Sequence, residues 1–125
     1  MALLRIHHVN ISIPKGREED CDQFYEGLLG LRKALRPDRE ISAPGVWYDI
    51  GPQSQLHIVY SDNFRGESSG NHFAVEVVDI GPLLQRLKAG EIEVRGPNHM
   101  GFDNSERYFC RDPFGNQIEF MSYNK

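Results

Sequence analysis

Two stretches of strict alternation stand about half a chain apart. In residues 6–13 (Ile-His-His-Val-Asn-Ile-Ser-Ile), Val9, Ile11 and Ile13 fall on one side of an extended backbone and His8, Asn10 and Ser12 on the other. In residues 71–78 (Asn-His-Phe-Ala-Val-Glu-Val-Val), Phe73, Val75 and Val77 oppose His72, Ala74 and Glu76. Period-two alternation marks a strand with one buried face. After each stretch the period changes. Arg17-Glu18-Glu19-Asp20 supplies acids suited to a helix N-terminus, Cys21, Phe24, Tyr25, Leu28 and Leu29 follow at helical spacing, and Gly30 predicts the stop. In the second half Asp79 is the cap candidate, Pro82 sits near the first turn, Leu83, Leu84 and Leu87 share a face, and Gly90 predicts the stop.

Short extended segments separated by Gly, Pro, Asn and Asp complete each half: 31–36, 46–50 and 55–60 in the first, 93–95, 106–111 and 117–122 in the second. The chain therefore reads βαβββ twice, an α+β fold. Residues 1–60 form the first module, 71–125 the second, and the polar stretch 61–70 the connector; together 1–125 make one domain.

Composition narrows the setting. With 14 basic and 18 acidic side chains, a formal charge of −4 and 26% charged residues, the 125-residue chain lacks the basic excess that a phosphate backbone requires, so no nucleic acid partner is expected. No apolar run approaches the ~20 residues of a membrane span. The opening Met-Ala-Leu-Leu-Arg-Ile-His turns polar too soon for a signal peptide, and a cytoplasmic location is expected. Cys21 and Cys110 read as reduced core residues.

Parity then sorts the candidate chemistry. In the last strand of the first half, Leu56, Ile58 and Tyr60 pack, which turns His57 to the face of His8. In the last strand of the second half, Ile118 and Phe120 pack, which turns Glu119 to the face of His72. His8 and His72 occupy equivalent first-strand positions, and His57 and Glu119 equivalent last-strand positions. A pseudo-twofold relation between modules predicts that the four converge. Three imidazoles and a carboxylate suit a borderline divalent ion: Zn, Ni, Co, Mn or Fe(II). His57 reads either as a fourth ligand or as a structural histidine. His7, on the apolar side, and His99, in a Gly/Pro-rich loop, read as structural or solvent-facing, and Trp47 either lines the pocket or belongs to the core.

The stretches His8-Val-Asn-Ile-Ser-Ile, His72-Phe-Ala-Val-Glu-Val-Val-Asp and above all Asp112-Pro-Phe-Gly-Asn-Gln-Ile-Glu119-Phe resemble the vicinal oxygen chelate superfamily. It includes glyoxalase I, fosfomycin resistance proteins, methylmalonyl-CoA epimerase, extradiol dioxygenases and bleomycin resistance proteins. The resemblance covers nearly the whole chain. It implies a cup-shaped half-barrel built from the two modules, with His8, His72 and Glu119 as metal ligands and His57 where glyoxalase I carries a fourth. It further implies that Asn10 and Phe109 face the substrate. Arg107 shares the parity of Phe109 and could pair with an anionic substrate or lie at the surface.

The function so implied is that of a metal-dependent enzyme that chelates a small-molecule substrate through neighbouring oxygens. A glyoxalase-like lyase or isomerase is favoured, with Glu119 detaching to act as base. An extradiol-type dioxygenase and a fosfomycin-type transferase are alternatives, and a metal-free ligand-sequestering protein of the bleomycin-resistance type is the competing class. Relatives with short connectors build shared sites from two chains, so a homodimer is expected.

Overall fold

A computed structural model describes residues 1–37, 43–66, 70–100 and 103–123. It divides into two compact units, residues 1–65 and 66–125. Each holds a four-stranded mixed sheet and a helical segment, the α+β arrangement predicted from the two alternating stretches.

The first unit contains β1 (His8–Pro14), α1 (Glu18–Asp22), β2 (Arg32–Lys33), β3 (Gly45–Ile50) and β4 (Ser54–Ser61). The second contains β5 (His72–Glu76), α2 (Ile80–Ala89), β6 (Val94–Met100), β7 (Ser105–Arg111) and β8 (Gln117–Tyr123). The sheet orders are β1-β4-β3-β2 and β5-β8-β7-β6. In each unit the first strand therefore runs parallel to the last, a pairing that requires the long crossover in which the helix lies. The connector predicted over 61–70 opens with the last residue of β4, and its residues 67–69 lie outside the described residues. Among the described residues no helix is long and apolar enough to cross a membrane.

Helix α1 widens at once into a π-helical turn over Gln23–Leu28, closed by Leu29 N donating to Phe24 O at 2.9 Å. This buries Cys21, Phe24 and Tyr25 against a core that includes Ile13, Tyr48, Leu56 and Ile58. Gly30 ends the segment at φ +74°, the left-handed conformation that favours glycine. Asp79 caps α2 by accepting from Gly81 N at 3.2 Å. The stop at Gly90 takes another form: Gly90 stays at φ −84° and the left-handed residue is Glu91, at φ +61°.

Two strands differ in extent from the sequence expectation. The segment 31–36 pairs only at Arg32 and Lys33. The segment 93–95 instead runs on to Met100, through a register shift between Arg95 and Asn98. Gly96 and Pro97 occupy that shift. A proline with no N–H is tolerated because β6 is an edge strand.

The reversal into β8 is held by one buried carboxylate. Asp112 Oδ1 accepts from Phe114 N at 2.9 Å and Asn116 N at 2.8 Å, and Oδ2 accepts from Asn116 Nδ2 at 2.9 Å. The turn sets β8 in register with β7, Phe109 opposite Glu119. Asp112→Ala removes the acceptor of two backbone N–H groups at once. A loss of roughly 2–4 kcal/mol is expected in denaturant unfolding; an unchanged midpoint would show that the turn holds without the carboxylate.

Both cysteines are buried, Cys110 beside the second core of Leu87, Phe114, Ile118 and Phe120. Burial, with a smaller contribution from the Asp112 charge, pushes the Cys110 thiol up to about 12. The thiolate is the reactive form, so a disulfide reagent at pH 8 is expected to leave the native chain unlabelled and to titrate two thiols after unfolding. The unfolded chain ionises this thiol near 9.0. The folded chain therefore holds more protons at alkaline pH, and stability falls as pH rises from about 9 towards 12.

Candidate functional site

In the first unit, β1 and β4 lie side by side with Asn10 opposite His57. His8 and His57 are thus diagonal neighbours on one face. Their rings stack at 3.9 Å with 15° between planes. Trp47, the β3 partner of His57, stacks on its other side at 4.0 Å and 6°. The Arg36 guanidinium lies 5.8 Å from the Trp47 ring, and His7 meets His8 edge-on at 5.3 Å. The result is a column, Arg36–Trp47–His57–His8. His57 is 8% exposed within it, whereas His8 and Asn10 are exposed.

Burial, then the charges of His8, His7 and Arg36, push His57 down to about 4. At neutral pH its imidazole is uncharged, the form that ligates metals. His57 Nε2 is 2.9 Å from Gln55 Oε1, and His8 Nδ1 is 3.1 Å from His7 Nδ1.

In the second unit the parallel pairing of β5 with β8 places Ala74 opposite Glu119, with His72 diagonal to it. His72 Nε2 approaches Glu119 Oε1 at 2.9 Å. Phe109 packs edge-on to His72 at 5.5 Å, under the Arg95 guanidinium at 5.5 Å. The second oxygen of Glu119 accepts from Arg107 Nη1 at 2.7 Å. Arg107 also donates from Nη2 to Asp103 Oδ2 at 2.6 Å and from Nε to Ser105 Oγ at 3.0 Å. Glu119 is 5% exposed.

The His72–Glu119 contact has a proton problem. His72 Nδ1 lies 2.8 Å from Gly70 O, which can only accept, so Nδ1 carries a proton. In a neutral imidazole Nε2 then presents a lone pair, and it faces a carboxylate oxygen. Two acceptors at 2.9 Å attract only if a proton or a cation lies between them. A divalent ion held by His72 and Glu119 would satisfy both acceptors. An imidazole anchored by a backbone carbonyl through its other nitrogen is also the usual support of a metal-ligating histidine. The donor set fits a divalent ion.

The structure pairs the candidate ligands within each unit, His8 with His57 and His72 with Glu119. Among the described residues no group of three or more His, Cys, Asp or Glu side chains forms a metal-holding cluster. Trp47 lies against His57 and Phe109 against His72. Arg107 bridges two carboxylates of its own unit. Sequence reasoning missed Asp103, Ser105, Gly70, Gln55 and the two arginines over the aromatic rings. Gln55 was within reach, since it shares the parity of His57 two residues along.

The family model described as "Glyoxalase/Bleomycin resistance protein/Dioxygenase superfamily" matches residues 5–120. A glyoxalase family protein from Bacillus anthracis is 30% identical, with a TM-score of 0.85 over 99% of this chain and 98% of that one. A glyoxalase family protein from Enterococcus faecalis is 25% identical, with a TM-score of 0.70 over 94% and 96%. Lactoylglutathione lyase from Agrobacterium tumefaciens, at 19% identity, has a TM-score of 0.69 over 94% and 92% and shares the fold. No curated protein matches significantly. A family match over nearly the whole length, on a chain whose two units repeat one sheet order, places this protein in the glyoxalase/bleomycin resistance protein/dioxygenase superfamily.

Proposed function

We propose that this protein is a divalent-metal enzyme, a glyoxalase-like lyase or isomerase acting on a small substrate that presents two neighbouring oxygens. His8, His57, His72 and Glu119 are its ligands, one pair from each unit. The observation that carries the reading is the 2.9 Å approach of His72 Nε2 to Glu119 Oε1 while Nδ1 is committed to Gly70 O. Bound there, the ion would supply Lewis acidity to a substrate oxygen.

The chain's own groups do the rest. Gly70 O fixes the tautomer of His72. The Trp47–His57–His8 stack holds two imidazoles on one face and keeps the inner one neutral. Asn10, exposed beside His57, offers an amide to a substrate oxygen, and Phe109 supplies an apolar wall next to His72. The ligand pairs come from two chains of a homodimer in this proposal, which sedimentation velocity tests directly.

Metal analysis of untagged protein purified without chelator tests the reading. About one Ni, Zn, Co, Mn or Fe per chain, or uptake of that amount on titration, is expected. Less than about a tenth, unchanged by added metal, would sink it, since sites with such ligands bind tightly. One observation favours a second reading, a metal-free ligand-sequestering protein: Arg107 already balances the charge of Glu119, and a protonated His72 would complete the pair. Zero uptake with retained fold is its signature.

A further inference from the structure

We propose that Arg107, anchored by Asp103 and Ser105, is a positioning residue that fixes Glu119 in its orientation as a ligand. The proposal rests on the metal reading above. Its ground is the geometry of one guanidinium. Arg107 spends all three nitrogens on side chains of its own unit: Nη1 on Glu119 Oε2 at 2.7 Å, Nη2 on Asp103 Oδ2 at 2.6 Å, and Nε on Ser105 Oγ at 3.0 Å. Ser105 is itself tied back, its Oγ donating to Asp103 Oδ1 at 2.6 Å and its N to the same oxygen at 3.1 Å.

A planar guanidinium bonded on three sides cannot follow a carboxylate that swings away. Nor can Glu119 leave alone. It is 5% exposed, and moving away from Arg107 Nη1 would cost the buried carboxylate its charged partner. The carboxylate is thereby held in one orientation from the side of its second oxygen.

The spacing explains why one strand can build the device. Ser105 and Arg107 stand two apart along β7 and so share one side of the strand, and the turn at Asp103 and Asn104, with Asn104 at φ +59°, brings the Asp103 carboxylate back to both. Arg107 pairs with Met121 in register and so reaches Glu119 diagonally, while Phe109 stands directly opposite it.

A double-mutant cycle read in metal affinity tests this, with Ni(II) or Zn(II) titrated against a chromogenic chelator. Arg107→Met is expected to weaken binding about 10–100-fold, the usual cost of losing a partner that orients a ligand. Arg107→Lys, with one ammonium in place of a fork, is expected to recover only part of this. Asp103→Asn leaves Arg107 in place without its anchor and is expected to show a smaller loss in the same direction; it serves if Arg107→Met fails to fold. In a Glu119→Gln background the Arg107→Met effect should shrink to within about twofold, because nothing remains to be locked. A role confined to folding would weaken binding equally in both backgrounds and would overturn the proposal. So would wild-type affinity in folded Arg107→Met. Absence of metal uptake by the wild-type chain would instead overturn the metal reading itself.

Discussion

Glu119→Ala is expected to cut divalent-metal affinity by well over the roughly hundredfold loss that follows removal of an orienting partner, because it deletes a ligand outright. The side chain is the point at which three groups of the second unit meet: His72 on one oxygen, Arg107 on the other and Phe109 across the ladder. Without it, His72 Nε2 loses its only close anionic neighbour among the contacts described, and Arg107 keeps Asp103. The fold is expected to survive, since the buried apolar set of Leu87, Cys110, Phe114, Ile118 and Phe120 is untouched. Isothermal titration with Zn(II) or Ni(II), alongside thermal melting of the metal-free protein, separates the two effects. His72→Ala should behave alike. An affinity within about tenfold of wild type in folded Glu119→Ala would remove Glu119 from the ligand set.

The second large effect is structural and is expected at Gly45. A Cβ built there would lie 2.1 Å from the carbonyl oxygen of Ile58 and 3.4 Å from Val59 Cα, both backbone atoms that no rotamer can move aside. Gly45 is paired with Val59 at the start of β3. Gly45→Ala must therefore push β3 away from β4, and a loss of roughly 2–4 kcal/mol is expected by urea unfolding. The displacement travels along β3 to Trp47, the single tryptophan of the chain, whose ring lies 4.0 Å from that of His57. Near-ultraviolet circular dichroism should report the disturbed stack before the chain unfolds. A variant with unaltered stability and spectrum would show that β3 can give way without cost.

How much of this was legible from the sequence varies with the kind of contact. Alternation alone fixed the parity of His8, His57, His72 and Glu119, because a strand leaves a side chain only two sides to choose between. The Asp112 reversal was legible for a similar reason, since Pro113 and Gly115 confine the backbone locally. Strand ends were harder. Nothing in Gly96-Pro97 announces that pairing resumes at Asn98, because the resumption depends on β7 offering partners across the ladder. The lock on Glu119 was hidden in the same way. Arg107 reads as a surface charge until register brings it diagonal to Glu119, and Asp103 matters only once Arg107 is in place. The Trp47–His57 stack likewise needs the cross-strand register, although both residues were singled out separately.

The parallel pairing of first and last strands sets how each unit must be assembled in time. His8 meets Gln55, 47 residues further on, and His72 meets Gln117, 45 residues further on. Each sheet therefore closes only when its final strand arrives, and the entropy of bringing such distant segments together must be met before the pairing stabilises anything. The two closures are nearly equal in length, so the units are matched in this barrier. During synthesis the first sheet cannot close until β4 has left the ribosome, and until then the apolar side of β1 has no parallel partner to hold it in place.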